Sequence, residues 1–124
     1  MSALKKQVGG NHYNKLKVQP IEFIQETGLG YCTGNVVKYL TRNKQNRKED
    51  LEKAYHYIEL NNEVYRQKFM DIFVEAYTVD HKFFTQFKNG KVYAKILYHM
   101  RLGNKPKAKE LLRKFINKGE YSEV

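Results

Sequence analysis

Apolar side chains recur at three- and four-residue steps along most of this chain, which is the spacing of one face of an α-helix. The steps are clearest in three segments: Val36, Val37 and Leu40; Leu51, Ala54, Tyr55 and Ile58; and Ala108, Leu111, Leu112, Phe115 and Ile116. No stretch of the sequence keeps the alternation that is typical of a β-strand. The pattern therefore predicts an all-α protein with about five to six helices.

Turn-forming and capping residues predict the ends of the first two helices. Pro20 suits the first turn of a helix, because its missing N–H costs nothing there, and Gly28 suits the end of that helix. Thr33 is a candidate N-cap for a second helix that reaches about Asn43. The polar residues 1–18 ahead of both helices predict an irregular arm.

Asn46 and Glu49 have the three-residue spacing of a capping box, with Asn in place of Ser or Thr. A long third helix is therefore predicted from this point to around Lys68. Its buried stripe would consist of Leu51, Ala54, Tyr55, Ile58, Asn62 and Tyr65.

The second half of the chain keeps the helical period. Aromatic and small residues carry it at first: Phe73, Ala76, Tyr77, Phe83, Phe84 and Phe87. Asn89 and Gly90 then precede two further helices, one ended by Gly103 and one running from Pro106 to Gly119. This last pair predicts a C-terminal αα-hairpin.

The length of 124 residues predicts one compact domain, with a helical region over 1–66 and a second over 67–124 packed on it. No apolar run approaches the roughly 20 residues of a membrane span, and the N-terminus lacks the apolar stretch of a signal peptide. The single cysteine, Cys32, has no partner for an internal disulfide. We therefore expect a protein of a reducing cytoplasm.

The chain is strongly basic, and its charge is unevenly placed. Its 23 Lys and Arg residues against 13 Asp and Glu give a formal net charge of +10. Between Lys82 and Lys118, 11 basic residues accompany a single acidic one, Glu110. A field of this sign attracts nucleotides, nucleic acids and acidic protein surfaces. The alternative is a set of solvated lysine-rich helix faces that bind nothing in particular.

The sharpest local signal is the glycine-containing loop from Gly28 to Asn35. Backbone N–H groups at a helix N-terminus favour an anion, and glycines let a phosphate approach the backbone. Lys38 and Arg42 follow one turn apart on the predicted helix, where they would neutralise phosphate oxygens. The alternative is a tight helix–helix turn beside solvated cations. The loop is not a P-loop, because Gly34 is followed by Asn instead of Lys.

Five ordered blocks of the sequence resemble the SaV-like family of small bacteriophage proteins, over about residues 9–62. The blocks are His12-Tyr13, Pro20-Ile21-Glu22-Phe23-Ile24, Gly28-Leu29-Gly30-Tyr31, Gly34-Asn35-Val36-Val37-Lys38-Tyr39-Leu40-Thr41-Arg42 and Glu49-Asp50-Leu51-x-Lys53-Ala54-x-x-Tyr57-Ile58. That family is described as a domain of unknown function and is similar to part of a phage nucleotide kinase without a Walker motif. The resemblance implies a phage origin, action in the host cytoplasm and nucleotide handling. The basic second half departs from the typical short member.

The resemblance and the loop chemistry together predict a phosphate- or nucleotide-binding site. Its candidate residues are Gly30, Thr33, Gly34, Asn35, Lys38 and Arg42, joined by His12 and Tyr13 if the arm folds back over the loop. A kinase would also need ATP and Mg²⁺. Glu22, Glu49 and Asp50 are candidate ligands of the Mg²⁺ ion. The structural alternative for these carboxylates is helix capping and favourable interaction with helix dipoles. An all-α nucleoside triphosphate pyrophosphatase is a further alternative, but Glu49-x-x-Glu52 lacks a second such pair.

Two functions follow from these observations. One is a phage nucleotide-binding protein, extended to a nucleoside monophosphate kinase-like activity if it uses Mg²⁺ and ATP. The other is a non-enzymatic binder of nucleic acid, of a nucleotide signal or of an acidic host protein such as a defence protein. A nucleic-acid footprint would consist of Lys91, Lys95, Lys109, Arg113 and Lys118. We expect no membrane partner, and we expect a homo-oligomer.

Overall fold

A computed structural model describes residues 16–43, 46–62 and 81–123 of the chain. The helices in these ranges are α1 Pro20–Thr27, α2 Tyr31–Thr41, α3 Arg47–Leu60, α4 Lys82–Thr85, α5 Gly90–Arg101 and α6 Lys105–Lys118. No β-strand occurs within these ranges, so the prediction of an all-α protein is confirmed. His12, Tyr13 and the predicted apolar run from Phe73 to Tyr77 lie outside the described residues.

The helices pack as a chain of pairs around one hydrophobic core. α2 packs on α3, α3 on α6, and α6 on α5, while α1 covers α2 and α4 covers α5. The core contains fully buried side chains from all six helices, among them Phe23, Val37, Leu51, Phe84, Leu97 and Leu112. The described helices before and after residues 63–80 therefore share this core, and α3 packs against both α2 and α6.

α1 has the ends that the sequence predicts. Pro20 lies at its first position, and Gly28 follows its last residue in the left-handed conformation, with φ of 67°. The Glu22 carboxylate accepts a hydrogen bond of 3.0 Å from the backbone N–H of Gln19. Glu22 thus closes a capping box at the start of α1. Helix capping was the structural alternative to its predicted role as a metal ligand.

α2 begins three residues earlier than a helix with Thr33 as its N-cap would begin. Gly30 is the N-cap, in extended conformation, and Tyr31 is the first helical residue. Thr33 lies inside the first turn with 1% of its surface exposed, so the prediction of Thr33 as N-cap is wrong. The helix leaves the α region at Arg42, one residue before the predicted end at about Asn43.

α3 is shorter than predicted. It ends at Leu60, because the backbone of Asn61 turns extended with ψ of 119°. Asn62 is exposed beyond the helix and does not continue the buried stripe, and Tyr65 lies outside the described residues. At its start Asn46 is the N-cap residue but makes no capping bond with its side chain. Its amide donates instead to the Glu49 carboxylate, so the predicted capping box is not formed.

α5 and α6 form the predicted C-terminal hairpin. Gly103 in the connection and Gly119 after α6 both have positive φ, at 76° and 74°. The Asn104 side chain caps α6 by accepting from the backbone N–H of Lys107 at 3.2 Å. Within the described residues, no helix is long and apolar enough to cross a membrane.

Two buried helical glycines predict opposite effects of the same substitution. A Cβ at Gly90 would lie 1.8 Å from the backbone oxygen of Phe84, so Gly90→Ala must push α4 away from α5. A Cβ at Gly34 would lie 3.4 Å from Cγ2 of Ile24, an ordinary contact. We expect Gly90→Ala to lower the free energy of unfolding by about 3 kcal/mol. Gly34→Ala, the matched control, should be neutral or raise it by up to about 1 kcal/mol through helix propensity.

Urea unfolding followed by circular dichroism measures both values. Equal stability of the two variants would contradict the close approach of α5 to the Phe84 carbonyl.

Candidate functional site

Three tyrosine rings meet on the surface where α2 packs on α3. The rings of Tyr39 and Tyr57 are nearly parallel, 12° apart, with centroids separated by 5.9 Å. The Tyr31 ring meets Tyr57 edge-on at 5.9 Å and is 74% exposed. We call Tyr31, Tyr39 and Tyr57 the tyrosine face. It presents aromatic surface to solvent from the first turn of α2 to the last turn of α3.

Three cations surround Tyr39. Lys38 Nζ lies 4.9 Å from its ring centroid, Lys53 Nζ lies 5.5 Å away and the Arg42 guanidinium carbon 5.9 Å away. Each distance is within the range of a cation–π contact. The tyrosine face is therefore bordered by positive charge from both α2 and α3.

Helical spacing explains how these residues come together. Tyr31, Lys38, Tyr39 and Arg42 follow one another at steps of seven, one and three residues, which return to one side of α2. Asn35 lies on the same side, and its amide donates to the Tyr31 carbonyl at 2.8 Å. Sequence reasoning found Asn35, Lys38 and Arg42 by this spacing but missed the tyrosines. The spacing of Tyr31 and Tyr39, two turns apart, is the signal that would have found them.

Arg42 is held in place from α3. Its Nε lies 3.8 Å from Oδ2 of Asp50, whose side chain is 7% exposed. Since a buried carboxylate needs a partner, this pair fixes the Arg42 side chain beside Tyr39. Within the described residues the Arg42 Nε has no hydrogen-bond partner at bonding distance, which leaves this donor without a strong acceptor.

The predicted glycine loop is used mainly for packing. Gly34 faces Ile24 of α1, and its N–H already donates to the Gly30 carbonyl at 2.8 Å. Thr33 is buried in the same turn. Of the loop positions, Gly30 lies at the helix start beside exposed Tyr31. Phosphate binding at this start stays a prediction.

The structure does not bring the three candidate metal ligands together. Glu22 caps α1, Asp50 faces Arg42, and Glu49 lies 3.4 Å from Lys53 as an ion pair within α3. Among the described ranges, no group of three His, Cys, Asp or Glu side chains has the geometry of a metal site. The capping alternative is confirmed for Glu22, whereas the predicted capping box of Glu49 is not formed and Asp50 pairs with Arg42.

The five residues of the predicted nucleic-acid footprint lie on two surfaces. Arg113 makes two hydrogen bonds to the Glu52 carboxylate, at 2.7 and 3.3 Å, and Lys109 lies 3.4 Å from Glu59. Both cations also contact the Tyr55 ring. The hydrogen bond from Arg113 lowers the pKa of Glu52 below its ordinary value. Lys109 and Arg113 thus join α6 to α3.

The remaining footprint residues lie on the other side of the hairpin. Lys91, Lys95 and Lys118 are exposed, and the last two border a cleft of about 370 Å³ between α5 and α6. The cleft also contains residues that sequence reasoning did not select, among them Lys88, Val92, Leu111, Lys114, Phe115 and Glu120. We call it the hairpin cleft.

A buried arginine positions the end of α2. Arg47 is 7% exposed, and its Nη1 donates to the carbonyls of Tyr39 and Arg42 at 3.2 and 3.1 Å. Its Nε donates to the Tyr121 carbonyl, and its Nη2 to the Tyr93 hydroxyl. Arg47 therefore connects the end of α2 to α5 and to the residues after α6.

Glu123 completes this network from the other side of Tyr93. Its carboxylate accepts from the Tyr93 hydroxyl at 2.5 Å and from the backbone N–H groups of Lys88 and Asn89 at 2.8 and 3.2 Å. Burial is the main cause that raises the pKa of Tyr93 above its ordinary value. The hydroxyl therefore stays protonated and can donate to Glu123 while it accepts from Arg47.

A comparison with known protein families finds a match for part of the chain. Residues 8–59 match the model of a family described as protein of unknown function (DUF3310). No curated protein and no solved structure matches the chain. The matched range contains α1, α2, nearly all of α3 and the whole tyrosine face. The predicted resemblance to a domain of unknown function is confirmed to this extent. Phage origin and similarity to a nucleotide kinase stay predictions.

The network around Arg47 predicts the effect of removing one hydroxyl. Tyr93→Phe leaves a guanidinium N–H and the Glu123 carboxylate each short of one partner in the interior. We expect the free energy of unfolding to fall by about 1–3 kcal/mol. Tyr98→Phe is the matched control on the same helix, because Tyr98 is 37% exposed, and it should stay within about 0.5 kcal/mol. Denaturant unfolding at neutral pH compares the two, and similar losses would argue against the network.

The tyrosine face predicts an altered ionisation of Tyr57. The Tyr31 side chain, as hydrogen-bond partner, and then desolvation raise the pKa of Tyr57 above its ordinary value. Because the folded state holds this proton more tightly, the contribution to stability is present below about pH 10 and is lost as the pH rises through the folded pKa. Tyr31→Phe should return the pKa of Tyr57 towards its ordinary value. Titration of ¹³Cζ-labelled tyrosine by NMR measures this shift, and an unchanged Tyr57 curve would refute it.

Proposed function

We propose that this chain binds the base-and-phosphate unit shared by free nucleotides and single-stranded nucleic acids, and that it does so at the tyrosine face. The observation that carries the proposal is the 74% exposed ring of Tyr31 beside Tyr57, which stacks in turn on Tyr39, the ring that three cations contact. Aromatic side chains that stack on bases, bordered by basic residues that track phosphates, are the common features of such sites.

The ring positions favour a stacked base. Tyr57 already stacks on Tyr39, and Tyr31 stands edge-on to it with most of its own surface in water. A base that lies on Tyr31 replaces water with aromatic contact, which is worth about 1–3 kcal/mol. A solitary exposed tyrosine is ordinary on a protein surface, but here the ring continues a row of aromatic groups.

The cations favour a phosphate next to that base. Lys38 on α2 and Lys53 on α3 each place an amine beside Tyr39, although Lys53 also pairs with Glu49. The Arg42 guanidinium lies between Tyr39 and Asp50. The Arg42 side chain as a whole is 21% exposed, so part of its charge faces solvent. A phosphate oxygen that meets this exposed part accepts a charge-assisted hydrogen bond, which is one of the stronger kinds. The N-terminus of α2, at Gly30, adds a dipole of the same sign.

Phosphoryl transfer stays a prediction from the family resemblance, with Mg²⁺ and ATP as its requirements. The described carboxylates Glu22, Glu49 and Asp50 are occupied by structural contacts, so the proposal is limited to binding. Homo-oligomerisation, phage origin and an acidic host protein as partner likewise stay predictions.

The test is a binding titration by calorimetry with AMP, ATP and a dT12 oligonucleotide. We expect Tyr31→Ala and Lys38→Ala each to weaken binding by about tenfold. Tyr98→Ala and Lys107→Ala are matched controls, because these residues lie on α5 and α6, and they should change the affinity by less than about twofold. Equal effects of Tyr31→Ala and Tyr98→Ala would refute the proposed site.

The ligand series distinguishes the two sources of a base and a phosphate. A nucleic-acid site gives tighter binding to dT12 than to AMP, with an affinity that falls steeply as salt rises. A nucleotide site gives equal or tighter binding to the mononucleotide and a shallower dependence on salt. Incubation of ATP with nucleoside monophosphates and Mg²⁺ in the same variants tests the kinase prediction. No binding in either series would refute the proposal.

A further inference from the structure

We propose that the hairpin cleft is a second binding site, for a small amphipathic anion with an apolar body and a phosphate or carboxylate group. The proposal does not depend on the function of the tyrosine face, because the two sites share no residue. The cleft has a volume of about 370 Å³, which lies within the range of sites for small organic molecules.

The floor of the cleft favours an apolar body that does not stack. Val92 and Leu111 supply aliphatic surface, and both are only partly buried. Phe115 is 7% exposed and its ring also contacts Tyr93 at an interplanar angle of 86°, so little of its surface is left for stacking. An alkyl or alicyclic group fills such a floor, whereas a base finds no ring to lie on. In this respect the cleft differs from the tyrosine face.

The rim of the cleft favours an anion. Lys88, Lys95, Lys114 and Lys118 border it. The ion pairs within residues 81–123 involve Lys114 with Glu110 and Lys118 with Glu120, and they do not involve Lys88 or Lys95. Two ammonium groups are thus available without breaking a pair. Lysines act as mobile point charges and do not impose the planar fork of arginine, so they suit a compact anionic group.

One acidic residue at the rim allows the expected direction of the charge effect on ligand affinity to be tested. Glu120 borders the cleft, is mostly exposed and lies 3.4 Å from Lys118. It neutralises one amine and repels an incoming anion. Removal of this charge should therefore tighten binding, while removal of the lysine charges should weaken it. A site that serves only hydrophobic contact would respond to neither change.

The experiment measures the binding of octyl phosphate, below its micelle concentration, by calorimetry and by ¹⁵N NMR shifts. We expect octyl phosphate to bind at least about tenfold more tightly than inorganic phosphate or octanol, because it fills both parts of the cleft. The double variant Lys88→Gln with Lys95→Gln should weaken binding by about tenfold, with part of the loss already present in Lys95→Gln alone, and Glu120→Gln should strengthen it by roughly twofold. NMR shifts should centre on Val92 and Leu111.

Lys91→Gln is the matched control, because Lys91 is an exposed lysine of α5 that does not border the cleft. It removes the same charge from the same helix and should change the affinity by less than about twofold. An effect of Lys91→Gln equal to that of Lys95→Gln would show attraction by the overall field and refute the site.

Other ligand classes are separate outcomes of the same measurement. Tighter binding of an acidic peptide or of anionic vesicles than of octyl phosphate, with the same dependence on Lys88 and Lys95, would overturn the assignment to a small molecule. Lys38→Ala should leave octyl phosphate binding unchanged, so that failure at one site is distinguishable from failure at the other.

Discussion

The buried guanidinium of Arg47 is the interaction on which the arrangement of this protein depends. A charged group with 7% exposure must find partners, because water is excluded and an unpaired charge in the interior is costly. Arg47 finds four: two carbonyls at the end of α2, the Tyr121 carbonyl and the Tyr93 hydroxyl. These partners belong to separate parts of the chain, so one side chain fixes their relative positions. The position of the tyrosine face depends on this network, since two of the carbonyls that Arg47 binds belong to Tyr39 and Arg42.

The sequence could predict those helix ends that depend on local chemistry. Pro20, Gly28, Gly103 and Gly119 all mark ends in the structure, because a missing N–H or a left-handed backbone restricts what a residue can do. The prediction of Thr33 as an N-cap was wrong because burial decided that end. Thr33 and Gly34 are buried on the side of α2 that faces α1, and Gly30 is the cap.

The candidate site was predictable in the part that lies on one helix. The spacing of Lys38 and Arg42 fixes their common side of α2 whatever the rest of the chain does. The stacking of Tyr39 on Tyr57 depends on how α2 crosses α3, which no local pattern contains. The same holds for Arg113, whose charge looked free in the sequence and is bound to Glu52 of α3 in the structure.

The basic residues that the structure describes therefore divide into those that bind groups of the chain itself and those whose charge faces solvent. Arg47 and Arg113 belong to the first group, since their partners are groups of the chain itself. Among the described residues, two places combine charges of the second group with a neutral surface, and these two surfaces differ. The tyrosine face offers an open aromatic ring, and the hairpin cleft offers an aliphatic floor. Because cations attract any anion and only the neutral surface discriminates among them, these two sites should select different ligands from the same pool.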